Sequence, residues 1–162
     1  MNILLMMLRA PRPSRTQGLL AVAKPRWIRR GYDGMTFFGY IITHSLEEAD
    51  AFNRPHSTMR NHETIHLYQA RSTHDSWLCF YVFYLYYWLT AGIGYRLTCR
   101  HNGRRIRHAG YMLNPFEMEA YRHMDDLHYL DDKTEGTTGW RHYASLSISE
   151  RAALLQQARH YQ

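Results

Sequence analysis

The sequence predicts a mainly α-helical domain of the α+β kind, with one short strand region on its N-terminal side, and three observations carry that expectation. Helix-start signatures recur along the chain: Ser45 with Glu48, Asn114-Pro115, and Ser147 with Glu150. Residues 77–95 contain no charge and are almost all apolar or aromatic, which suits one long continuous helix. The run from Met35 to Ile42, M-T-F-F-G-Y-I-I, is short, aromatic and β-branched and reads as a strand.

Taken in order, residues 1–31 carry Arg9, Arg12, Arg15, Lys24, Arg26, Arg29 and Arg30 among Pro11, Pro13 and Pro25. Little periodic apolar surface accompanies these charges, so the segment is expected to be a flexible basic arm. After the strand, the capping box at Ser45 and Glu48 opens a brief helix that ends near Asn53, and Arg54-Pro55 closes it. A second helix starts at Ser57 or Thr58 and runs through H-E-T-I-H to about Thr73. The aromatic helix follows, then a basic loop with Arg96, Arg100, Arg104, Arg105 and Arg107 and an Asn102-Gly103 turn. Asn114 as N-cap and Pro115 at the first helical position open a helix expected to reach about Leu130. Gly136 and Gly139 mark a loop, and a last helix starts from Ser147.

The 162 residues fit one folded unit, here residues 32–162, large enough to bury a core. Net charge is +6, so phosphate-bearing partners such as an anionic membrane surface are attracted. Cys79 and Cys99 form neither a C-x-x-C pair nor a disulfide framework, which favours a reducing compartment. Met1–Leu8 lacks the charge and the cleavage site of a signal peptide. The expected location is cytoplasmic or peripherally membrane-associated. Aromatic residues are segregated from the basic stretches, unlike a stacking platform for single strands, so no specific nucleic-acid partner is expected.

The chemistry concentrates in H-E-T-I-H. His62 and His66 are four apart and so project from one helix face, as two imidazole ligands of one tetrahedral ion require. Glu63, beside His62, is placed to take a proton from a metal-activated water. A third ligand is sought in N-P-F-E-M-E-A-Y, which offers Glu117 and Glu119. Glu117 falls with Ala120, Tyr121, Met124 and Leu127 on the apolar stripe, while Glu119 falls with Arg122, His123 and Asp126 on the polar one. A carboxylate on a buried face calls for a partner or a metal. Three residues after Asn114, Glu117 also fits a capping-box glutamate. Tyr121 is a candidate donor to a developing oxyanion and equally a core tyrosine. Gln69, three after His66, reads as a structural polar residue, and His101, His108, His123, His128 and His142 have no distinctive spacing.

These residues resemble the gluzincin-like arrangement, in which H-E-x-x-H on one helix is completed by a glutamate from a later helix; Glu117 followed by Ala120 is similar to its E-x-x-A segment. More closely, N-H-E-T-I-H-L-Y-Q, an aromatic stretch and F-E-M-E-A-Y resemble a group of small bacterial H-E-x-x-H proteins over roughly residues 35–125. The resemblance implies a minimal zincin-like domain and a zinc metallopeptidase acting on a peptide or protein substrate. It implies Zn2+ held by His62, His66 and Glu117, with Glu63 as base. Where that arrangement commonly has Asp or Asn after the Ala, this chain has Tyr121.

Residues 77–95 are also just long enough to cross a bilayer. A single crossing would separate His62 and His66 from Glu117, and the charged stretch up to Leu113 cannot cross back, so a span and this metal site exclude each other. Tyr81, Tyr84, Tyr86, Tyr87 and Trp88 carry polar tips suited to interfaces or protein interiors. Leu78, Val82, Leu85 and Leu89 lie on one stripe, as in a helix packed against others. Burial in the core is therefore the leading expectation, with a helix lying in a membrane surface and a full span behind it. The competing function is a non-catalytic membrane-surface or partner-binding protein with a structural metal or none.

Overall fold

A computed structural model describes residues 20–23, 35–38, 40–54, 57–98 and 106–158. Among these the chain is mainly helical, with a short strand region on the N-terminal side. Strands β1 (Leu20–Ala23), β2 (Met35–Phe37) and β3 (Tyr40–Thr43) precede helices α1 (Leu46–Asn53), α2 (Thr58–Ser72), α3 (Trp77–Thr98), α4 (Ala109–Met112), α5 (Pro115–His123), α6 (Trp140–Ser145) and α7 (Ile148–Gln157).

The strands form one sheet in the order β1-β3-β2, with β1 parallel to β3 and β2 antiparallel to it, Thr36 facing Ile41. The expected single strand is thus a hairpin. Phe38 leaves β2 with a left-handed φ of 46°, which the tight turn into β3 demands. Strand β1 lies inside the segment read as a basic arm: Ala21 is buried, and its N–H donates to Asn53 Oδ1 at the end of α1 (3.1 Å). Composition alone hid this short strand, because its partner β3 is contributed by a distant stretch. The rest of residues 1–31, together with Pro55, Cys99 and the Asn102-Gly103 turn, lies outside the described residues.

The helix starts follow their signatures. Both halves of the capping box are made at Ser45/Glu48 and at Ser147/Glu150, and Asn114 caps α5 with Pro115 in its first turn. Helix α5 ends at His123, well short of Leu130, and turns follow. Short helices α4 and α6 were not expected from the pattern; four and six residues give too little periodicity to register.

Helix α3, about 33 Å long at helical rise, is the spine. Its first half contributes Trp77 and Phe80 to a core with Ile41, Phe52, Leu67, Phe116 and Trp140. Its second half contributes Ala91 and Tyr95 to a smaller cluster with Leu113, Ala152 and Leu155. Gly110 lets α4 lie directly on it, since a Cβ there would stand 2.7 Å from the Trp88 carbonyl oxygen. The packed face differs from the expected one. Leu78, Val82, Leu85 and Leu89 are exposed, while Trp77, Phe80, Ala91 and Tyr95 are buried. With apolar residues on every side of the helix, periodicity could not choose between the faces. Among the described residues, no helix is long and apolar enough to cross a membrane.

Candidate metal centre

Helix α2 carries His62, Glu63, His66 and Gln69, all buried, toward α5. The ladder of i, i+3 and i+4 positions puts these side chains over adjacent turns. Helix α5 meets it with Glu117 and Glu119, and α3 closes the site with Tyr84. Among the described residues, His62, His66 and Glu117 form the one His/Cys/Asp/Glu group able to hold a metal ion.

Donor atoms of three residues converge. His62 Nε2 lies 3.2 Å from His66 Nε2 and 3.3 Å from Glu117 Oε2, and His66 Nε2 lies 3.4 Å from Glu117 Oε1. Glu117 Oε2 is buried and has no hydrogen-bond partner among the described residues, although a histidine nitrogen is this close. Two imidazole nitrogens and a carboxylate gathered this closely in a buried place fit a shared cation. Tyr84 fixes the carboxylate by donating its hydroxyl to Glu117 Oε1 (2.6 Å), and Asn114 Nδ2 donates to the Tyr84 carbonyl (3.2 Å). Asn114 thus caps α5 and also ties it to α3.

Behind His66 lies a hydrogen-bond relay. Gln69 Nε2 donates to the Phe116 carbonyl (2.9 Å) and to Glu119 Oε2 (2.7 Å). Both partners only accept, so the amide orientation is fixed and Gln69 Oε1 must accept the bond from His66 Nδ1 at 2.8 Å. The proton of a neutral His66 therefore sits on Nδ1, leaving the Nε2 lone pair for a metal. Glu119 is held in turn by Tyr129 Oη (2.7 Å), the Trp140 N–H (2.9 Å) and the Thr137 hydroxyl. Four donors satisfy this fully buried carboxylate. Gly139 is required beside it, because a Cβ there would come within 2.5 Å of Glu119 Oε1.

The electrostatics follow from burial and pairing. Burial pushes the His66 imidazolium down, but the Glu117 carboxylate more than offsets this and, with its hydrogen bond and Glu63, raises His66 to about 9. Burial raises the Glu117 carboxyl, yet His66 and His62 outweigh it and hold the group well below the ordinary carboxylate range. Burial, then the Glu117 charge, keeps the Tyr84 phenol protonated far above its usual range. The two shifts describe a protonated His66 facing an ionised Glu117.

Glu63 is buried beside this group and accepts a hydrogen bond on Oε2 from the Thr36 hydroxyl of β2. Among the described residues, no lysine or arginine pairs with it. Tyr121 sets its ring edge against His62 (centroids 4.5 Å apart), and its hydroxyl lies 3.1 Å from that of Tyr111. His62 Nδ1 is buried without a hydrogen-bond partner among the described residues, so Tyr121 does not replace a polar second partner there.

The inward direction expected for Glu117 is found, whereas Glu119 does not face solvent. Residues 115–120 are buried on every side, and Asp126 lies beyond the end of the helix at His123. The sequence signal for the relay was Gln69 at i+3 from His66; nothing short of the fold pointed to its partner Glu119. Of the other histidines, His128 pairs with Asp131 at the surface, His123 stacks on Tyr129, His108 and His142 are exposed, and His101 lies outside the described residues. No family model, curated protein or solved structure matches the chain.

Proposed function

We propose that this chain is a zinc-dependent metallopeptidase of zincin-like type, in which His62, His66 and Glu117 hold one Zn2+ and Glu63 is the general base. The observation that carries the reading is the cluster of donor atoms: the two histidine Nε2 atoms lie 3.2 Å apart, with Glu117 Oε2 3.3 Å from His62 and Glu117 Oε1 3.4 Å from His66. One donor atom from each of the three buried residues lies within 4.8 Å of the others, so His62, His66 and Glu117 would be the residues to hold a single ion. Two imidazoles and one carboxylate are also a donor set that zinc favours.

Zinc in such a site supplies a water of near-neutral pKa and a Lewis acid for a carbonyl oxygen. The chain supplies the proton path and the positioning. Glu63, held at Oε2 by Thr36, receives the water proton at Oε1 and returns it to the leaving amine. Tyr121, packed on His62, is the residue proposed to donate to the developing oxyanion. Tyr84 and the Gln69–Glu119 relay hold two of the three ligands in place. The substrate class is a peptide or protein.

The test is hydrolysis of a mixed fluorogenic peptide library by zinc-loaded protein, wild type against Glu63→Gln. Loss of at least a hundredfold in rate, with zinc content unchanged, is expected. A second reading, a metal that only braces the helices, draws on the near-complete burial of His62 (1 % exposed) and Glu117 (3 %). It requires no zinc-dependent hydrolysis by wild type and no functional change on Glu63→Gln.

A further inference from the structure

The outer face of α3 has no role in the metal centre and carries an unusual load of apolar surface. Leu78, Val82, Leu85, Leu89, Ile93 and Leu97 are 45–78 % exposed. Their spacings of three or four residues keep them on one stripe along nearly the whole helix, opposite the face that packs Phe80, Tyr84 and Ala91. Trp88, also exposed, borders the stripe on one side and Phe83 on the other. A continuous strip of this length exceeds what soluble monomers usually leave open and marks an interaction surface.

Charge selects the partner. From Ser76 to Phe116 the chain has no Asp or Glu and five arginines, Arg96, Arg100, Arg104, Arg105 and Arg107. Arg96 is exposed on the stripe itself, next to Leu97, and Arg107 is exposed just before α4. A second copy meeting this face would bring no carboxylate of its own helix to those arginines. An anionic bilayer offers both needs at once: an apolar depth for the leucines and a negative headgroup layer for the arginines, with tryptophan at the boundary where its ring is both apolar and a donor.

We propose that the outer face of α3 lies flat in the surface of an anionic membrane, with the stripe from Leu78 to Leu97 in the acyl boundary and Arg96 among the headgroups. The chain then sits on the membrane through one side of the helix whose other side, at Tyr84, holds Glu117. This inference stands apart from the zinc reading, because none of the stripe residues touches the metal group.

The test is vesicle flotation of the full chain with phosphatidylcholine vesicles and with vesicles containing about a third phosphatidylglycerol, comparing wild type, Leu85→Glu/Leu89→Glu and Arg96→Glu. Both variants change exposed positions, and circular dichroism verifies that they remain helical. Wild type is expected to float with the anionic vesicles, the double leucine variant to partition at least tenfold less, and Arg96→Glu to lose several-fold on anionic vesicles only. Wild type left at the bottom with both vesicle types overturns the proposal. So does unchanged flotation of Leu85→Glu/Leu89→Glu, which would reduce the attraction to charge alone. A wild-type dimer in sedimentation velocity that this double substitution abolishes, without flotation, assigns the face to a second copy instead.

Discussion

Replacing Gln69 by leucine isolates the relay behind His66, because leucine keeps the volume of this fully buried side chain and removes its three hydrogen bonds. His66 Nδ1 is left as a buried donor without an acceptor, at roughly 1–3 kcal/mol, and Glu119 loses a charge-assisted bond worth about 1.5–3 kcal/mol. Glu119 keeps Tyr129, Thr137 and the Trp140 N–H, so the carboxylate is not stranded. Gln69→Leu is therefore expected to lower the unfolding free energy by about 2.5–6 kcal/mol, read from urea melts of the metal-free protein. The imidazole, no longer tied by Nδ1, is freed to rotate or change tautomer, and zinc affinity is expected to drop about 10–100-fold in a competition titration against a chelating dye. A folded Gln69→Leu protein with zinc affinity within about twofold of wild type would refute the relay as the element that positions His66.

Gly139→Ala drives a methyl group to within 2.5 Å of Glu119 Oε1 and 2.9 Å of Tyr129 Oη. It is expected to cost about 1–3 kcal/mol in a urea melt and to weaken zinc binding through the same relay, whereas an unchanged melt would place Glu119 elsewhere. In the metal-free protein, His66, raised from 6.5 to about 9, stabilises the fold fully below pH 6.5 and loses that contribution as pH rises through about 9. Glu117, lowered from 4.5, contributes above pH 4.5 and loses its contribution as pH falls through the lowered value. The pair thus stabilises the metal-free fold most between pH 4.5 and 6.5. Zinc must displace the His66 proton, so its apparent affinity is expected to rise about tenfold per pH unit until pH reaches about 9 and then level off; a flat profile from pH 7 to 9 would contradict the proton's place on His66.

Local chemistry in the sequence locates the helix starts well, because a capping serine or asparagine acts within three residues of itself: Ser45, Asn114 and Ser147 all cap as their patterns imply. The convergence of His62 and His66 is legible for the same reason, being a property of one helix. Glu117 is legible through its place on a buried stripe, although α5 ends at His123, before Met124 and Leu127 of that stripe. Three features required tertiary context. Strand β1 exists through pairing with residues some twenty positions away. Glu119 is buried because Trp140, Tyr129 and Thr137 from the following segment wrap it. The packed side of α3 is decided by where α2, α4 and α7 lie, since both sides of that helix are apolar.

The central claim, one zinc ion held by His62, His66 and Glu117, is tested most directly by elemental analysis. The full chain is loaded with zinc, dialysed and compared with Glu117→Gln and His62→Ala under identical conditions. The account predicts about one zinc per chain for wild type and little for either variant, each protein retaining its helical circular dichroism. Zinc absent from the wild type, or retained equally in both variants, would contradict it.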